Sequence, residues 1–183
     1  MTWTAPRTWV TSEVVTAAMM NAHVRDNTLA LSDRIQPIYK GSDQSVNNST
    51  TLVSDTALKF TAVASQNYVF DINILLACTS ATPEFTTGFS FPTGTLGYSM
   101  YGLDLASTSI TASARFNAVT AATTGVAALT VATPSATTGV AIRGAFKCTT
   151  GGTVTLMWAQ NVATATNTTV SQGSTLTAIR ETT

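Results

Sequence analysis

Residues 150–161 read TGGTVTLMWAQN. Val154, Leu156 and Trp158 fall at every second position, the period that places side chains on one face of a β-strand. Gly151 and Gly152 precede them and turn the chain into the strand. Gln160 continues the apolar face toward a polar edge, where its amide can meet backbone or a neighbouring subunit. The pattern leaves two places for Trp158: the core of one subunit, or a seam between copies.

The same period recurs on both sides of this stretch. TALKFTAV (56–63) puts Leu58 and Phe60 on one face, and QNYVFDINILLAC (66–78) aligns Tyr68, Phe70, Ile72 and Ile74. GTLGYSMYGLDL (94–105) sets Tyr98 and Met100 against Ser99 and Tyr101. EFTTGFSFP, SITASARFNAV, GVAALTVAT, TGVAIRGAFKCT and STLTAIRE complete the series. Roughly eight to ten short strands, spaced by about a dozen residues, predict an antiparallel β-sandwich or jelly-roll-like domain, not alternating α/β. The abundant threonine suits that reading, because its branched side chain favours the pleated backbone and stays polar on an open face. Interleaved Val, Leu, Ile, Phe and Trp argue against a disordered Thr-rich linker.

Upstream the period changes. Met20, Val24, Leu31 and Ile35, with Thr28 between, make a one-sided helical stripe. Thr11, Ser12 or Thr16 can cap its start, and Pro37 is expected to stop the helix near Gln36. A free helix of this length is marginal, whereas packed on copies of itself it would hold an oligomer together. Before it runs MTWTAPRTWVT, an arm with Trp3, Pro6 and Trp9. Tryptophans bring large contact area and anchor interfaces; the alternative is that both rings fold back over their own chain. The mainly β chain therefore divides into an anchoring arm and single helix (1–38), a turn-rich connector (39–55) and an antiparallel β domain (56–183). The expected anchoring or oligomer-interface residues are Trp3, Pro6, Trp9, Met20, Val24, Leu31 and Ile35; Trp158 and Gln160 belong to the β core or the subunit seam.

Charge narrows the partners. Nine basic and nine acidic residues cancel, and charged residues make up only 10% of the chain, well below the usual quarter. Seven of them, Arg7 to Lys40, crowd the first forty residues, and residues 105–183 hold only Arg115, Arg143, Lys147, Arg180 and Glu181. Nucleic-acid binding needs clustered Lys and Arg, so it is not expected. A weakly charged surface is poorly protected against association, and suits a chain whose surface is consumed by partner copies. The start has neither a positive n-region nor a long apolar core, so it does not read as a signal peptide. No apolar run approaches the roughly 20 residues of a membrane helix. Cys78 and Cys148 each follow an apolar run; they can pair as a disulfide or pack as buried thiols.

No catalytic constellation stands out. His23 is the only histidine. Asp55, Asp71, Glu84 and Asp104 are scattered over different strands and loops, where surface or turn roles are expected. No Cys/His cluster, nucleophile elbow or phosphate loop is present, so neither enzymatic activity nor a cofactor or metal is expected. Tyr98, Tyr101 or Trp158, if exposed, could stack on a sugar.

One resemblance adds to this. TWTAPRTWVTSEVVTAAMMNAHVRDNTLAL resembles the opening of structural proteins of tailed bacteriophages, in which a Trp-x-x-Pro-like arm precedes V-T-A-A-x-x-N-x-x-x-R-D-N. Here the matching positions are Val15, Thr16, Ala17, Ala18, Asn21, Arg25, Asp26 and Asn27. The Leu-x-Phe and Asn-Tyr-x-Phe strands, FSFPTGTLG, and the Gly-Thr, Trp-Ala-Gln and Gly-Ser-x-Leu elements near the end are similar to their β domains. The resemblance implies a non-enzymatic component on the external surface of a virion's tail or head. It would attach through its N-terminal region to other tail or capsid proteins. The expectation is a homotrimeric tail-associated fibre or appendage; the alternatives are a head decoration protein that stabilises the shell and a module that binds a host-surface glycan.

Overall fold

The computed structural model describes residues 4–80, 82–102, 117–121, 129–131 and 138–181. A short helical segment leads into two antiparallel sheets packed face to face. The helical segment comprises α1 (Ala17–Met20), one turn of π-helix (Asn21–Arg25) and α2 (Asp26–Ser32). The strands are β1 (Ile35–Tyr39), β2 (Gln44–Val46), β3 (Val53–Ala62), β4 (Asn67–Cys78), β5 (Phe85–Ser90) and β6 (Gly94–Gly102), followed by β7 (Asn117–Ala121), β8 (Leu129–Val131), β9 (Thr138–Cys148), β10 (Gly152–Gln160), β11 (Thr168–Val170) and β12 (Thr175–Arg180). The larger sheet runs β1-β12-β4-β9-β6-β7, with β11 and β2 continuing it beside β4; the smaller runs β3-β10-β5-β8.

Thr150, Gly151 and Gly152 do not make a hairpin. They carry the chain from β9 in one sheet to β10 in the other, held by Thr149 and Thr150 N–H donating to the Thr93 carbonyl at 2.8 and 3.1 Å. Such crossings make a sandwich rather than a single sheet, and each strand then presents one face inward. β4 alternates without a break, burying Tyr68, Phe70, Ile72, Ile74, Leu76 and Cys78. Aromatic rings stitch the sheets together: Phe60 of β3 meets Tyr68 and Phe70 of β4 at 5.5 and 5.8 Å, and Phe89 of β5 meets Phe70 and Tyr98 at 5.4 and 4.8 Å. Gly144 of β9 makes room for this row, since a Cβ there would lie 2.3 Å from the Phe70 ring.

Trp158 is fully buried beside Phe85 at 5.8 Å, inside its own chain's core. Its indole N–H donates to Asp55 Oδ2 at 3.1 Å. Asp55, expected at a surface or turn, is itself buried. The reason is a bulge: Thr155 faces Lys59 but Met157 faces Ser54, so β3 carries extra residues between them. The bulge leaves the Ala57 and Leu58 amides off the ladder, and Asp55 Oδ1 accepts from both at 2.9 Å. Lys40 neutralises the carboxylate, its ammonium donating to both oxygens at 2.9 Å. Gln160 is buried too: its amide accepts from Ser49 and Thr164 N–H and donates to the Thr166 carbonyl.

The helix ends at Ser32, four residues before Gln36, and Ile35 and Pro37 belong to β1. Pairing with β12 outcompetes another helical turn. Pro37 is compatible because β1 is the sheet's outer strand, where a missing N–H costs little. Strands β1 and β2 thus lie inside the stretch read as helix end and connector. Cys78 and Cys148 are both buried and free. They stand at opposite ends of the β4–β9 ladder, roughly 35 Å apart by strand rise, far beyond disulfide reach. Asp104 and Trp3 lie outside the described residues.

Candidate docking surface at the N-terminal arm and helix

Thr16 caps α1. Its hydroxyl accepts from Met19 N–H at 3.3 Å, and its own N–H approaches the Met19 sulfur at 3.5 Å. The helical segment then buries only Asn27 and Ala30. Asn27 clasps the arm: its Nδ2 donates to the Thr4 carbonyl and its Oδ1 accepts from Thr4 N–H, both at 2.9 Å. A side-chain amide here imitates the next strand of a ladder, which explains why an asparagine stands at this point of the Arg25-Asp26-Asn27 run.

The arm folds back along the helix from that clasp. A turn at Val10–Glu13, with Ser12 at φ 67°, reverses the chain. Trp9 meets the His23 ring edge-on at 6.2 Å, and the Arg7 guanidinium lies 5.0 Å over the Trp9 ring. Arg7 pairs with Glu13, and Arg25 with Asp26 at 2.8 Å, so the segment's charges are largely neutralised within it. His23 thus packs against an aromatic ring of its own chain.

The apolar stripe remains open. Val14 is 81% exposed, and Val15, Met20, Val24, Leu29 and Leu31 are all exposed. Trp9 is only partly covered, and Pro6 is exposed. Of the expected interface residues, Met20, Val24 and Leu31 share the helix, while Ile35 has moved to β1. Leu31 and Ile35 still share one surface, lining with Arg34, Ile179, Arg180 and Glu181 a shallow groove where the helix joins the larger sheet.

Chemistry is sparse elsewhere. Among the described residues no three His, Cys, Asp or Glu side chains converge as a metal site, and no helix is long and apolar enough to cross a membrane. Asp71 pairs with Arg143 on the outer sheet face, and Glu84 accepts from the Asn161 amide. Tyr98 and Trp158 are buried and cannot stack on a sugar; Tyr101 is exposed. What sequence reasoning missed is the Lys40–Asp55 pair. Its only sequence signal is a lysine directly after Ile38 and Tyr39, and nothing there names the partner.

No family model matches the chain, and no curated protein matches it. Among solved structures it is similar to that of the infectious bursal disease virus Gx strain, at 14% identity and a TM-score of 0.20, covering 80% of this chain and 40% of that one. A second is the crystal structure of the infectious bursal disease virus VP2 subviral particle, at 13% identity and a TM-score of 0.21, covering 80% and 39%. The chain spans about 40% of the length of these structures, and a likeness this distant carries no weight for function.

Proposed function

We propose that this chain is a non-enzymatic structural component of a virion exterior, a β-sandwich module held on the particle by its N-terminal arm and helix. One observation carries the reading: a capped helix that buries only Asn27 and Ala30 of its own chain holds Met20, Val24 and Leu31 toward solvent, and Val14 and Val15 just before its cap are exposed as well. An isolated helix of this length is marginal, so a partner surface completes it. The resemblance of the same segment to tailed-phage structural proteins supplies the class of partner, another tail or capsid protein.

Decoration of the capsid shell is the placement we favour. The helical segment Ala17–Ser32 is about 24 Å long at helical rise, the length of one docking contact rather than of a shaft. The second reading is a homotrimeric tail appendage, favoured by the uncharged Met20–Val24–Leu31 line, which would face identical helices around an axis. A host glycan belongs with that second reading.

The test is incorporation. Met20→Asp/Val24→Asp, supplied in place of the native chain, is expected to fold but to be lost from purified particles. Incorporation at the native level would overturn docking through the helix.

A further inference from the structure

The outer face of the larger sheet carries an apolar row between two charged ones. Register places Ile35 beside Ile179, Ile179 beside Val69, Val69 beside Ala145 and Ala145 beside Gly97. The row crosses five strands, about 19 Å at ladder spacing. Ile179 and Val69 are 42% and 40% exposed. On one side of the row, Asp71 of β4 pairs with Arg143 of β9 at 2.8 Å, their side chains 60% and 72% exposed. On the other, Glu181 follows β12, its N–H donating to the Asn67 carbonyl, and Lys147 of β9 stands opposite Asn67. In both flanking rows the acid lies toward β12 and β4, and the base on β9.

We propose that this face is an interface with a second copy of the chain, related by a two-fold axis parallel to the strands between β4 and β9. That operation turns each copy's acidic side onto the other's basic side. Asp71 then faces the copy's Arg143, and the copy's Lys147 lands over Asn67, one strand from Glu181. The same operation sets large residues over small ones: Val69 over the copy's Ala145, and Ile179 over its Gly97. A face complementary to itself in both charge and shape fits an isologous contact, with sheets stacked as in a sandwich. A partner of single charge would meet like charge on one side of both flanking rows.

The purified full chain, measured by sedimentation equilibrium, decides this independently of any virion. The native chain is expected to form dimers. Asp71→Arg or Arg143→Asp alone places like charges across the axis twice, and is expected to raise the dimer dissociation constant about tenfold. The double variant Asp71→Arg/Arg143→Asp restores both contacts, and is expected within about threefold of native. Val69→Lys, at an exposed position, is expected to stay folded by circular dichroism and to sediment as a monomer; should it unfold, the charge swaps decide alone. A native monomer at high concentration, or a double variant as weak as either single one, would overturn the proposal.

Discussion

The Lys40 ammonium stands 2.9 Å from both carboxylate oxygens of Asp55, and neither side chain touches solvent. Lys40 enters between β1 and β2, where its N–H donates to the Ser174 carbonyl and its own carbonyl accepts from Gly173 N–H. Asp55 comes from the bulge of β3 in the opposite sheet. The pair therefore joins the two sheets through charge inside the core. Lys40 also reaches Gln44 Oε1 at 3.3 Å and Thr56 Oγ1 at 3.4 Å, so its three donors are accounted for.

Asp55→Ala removes the acceptor of the Ala57, Leu58 and Trp158 donors and strands the ammonium. It is expected to cost about 3–5 kcal/mol, the range for breaking a buried pair. Lys40→Met leaves the carboxylate with its three N–H donors, and is expected to cost less. Urea unfolding of the two variants checks the order; equal losses would show that the donors matter little.

Two glutamines close the free edge of β3. Gln36 donates to the Thr61 carbonyl at 2.9 Å and accepts from Thr61 N–H at 3.1 Å. Gln44 donates to the Ser54 carbonyl at 3.0 Å and accepts from Thr56 N–H at 2.9 Å. An uncovered edge recruits other strands, and a chain with few charges has few other means of blocking it. Gln36→Ala/Gln44→Ala is expected to lower stability by about 1–2 kcal/mol per site and to speed aggregation, seen as light scattering on mild heating. Unchanged scattering would contradict edge protection.

Asn27→Ala releases the arm. Hydrogen exchange at the Thr4 amide is expected to rise about tenfold or more, while exchange in β4 and β9 stays at the native rate. Loss of protection throughout the sandwich would show that the arm supports the whole fold.

Burial pushes the Cys148 thiol above its ordinary value of 9.0. The folded chain therefore holds the proton more tightly than the unfolded chain, and this contribution to stability is intact below the unfolded value. As pH rises past 9.0, the unfolded state ionises first and stability falls. Cys148→Ala is expected to flatten that alkaline slope in urea unfolding at increasing pH; an unchanged slope would assign it to other groups.

The core was legible because it is periodic. Leu58 and Phe60, Tyr68 to Ile74, and Val154 to Trp158 keep the strand period through long runs, so both the elements and their inward faces could be read. Strands β1, β2 and β11 were not legible. They span five, three and three residues, too short for a period, and Pro37 in β1 is equally compatible with a helix stop. Thr16 was one of three candidate caps, and only the geometry of Met19 selects it. Asp55 and Gln160 could not be placed, because burial of a polar side chain depends on partners distant in sequence: Lys40 and Trp158 for the one, Ser49 and Thr166 for the other. The exposed apolar stripe was visible as spacing, but its last member, Ile35, depended on where the helix stopped.

Quantitative mass spectrometry of purified particles from the source of this chain, paired with imaging that locates its density, bears most directly on the virion assignment. A component of the particle exterior is expected in fixed stoichiometry, with the arm and helix at the attachment point and the sandwich facing outward. Many copies on the head lattice would place it as shell decoration, and few copies at the tail as an appendage. A chain absent from the particles and found only in the host cell would contradict a structural role in the virion.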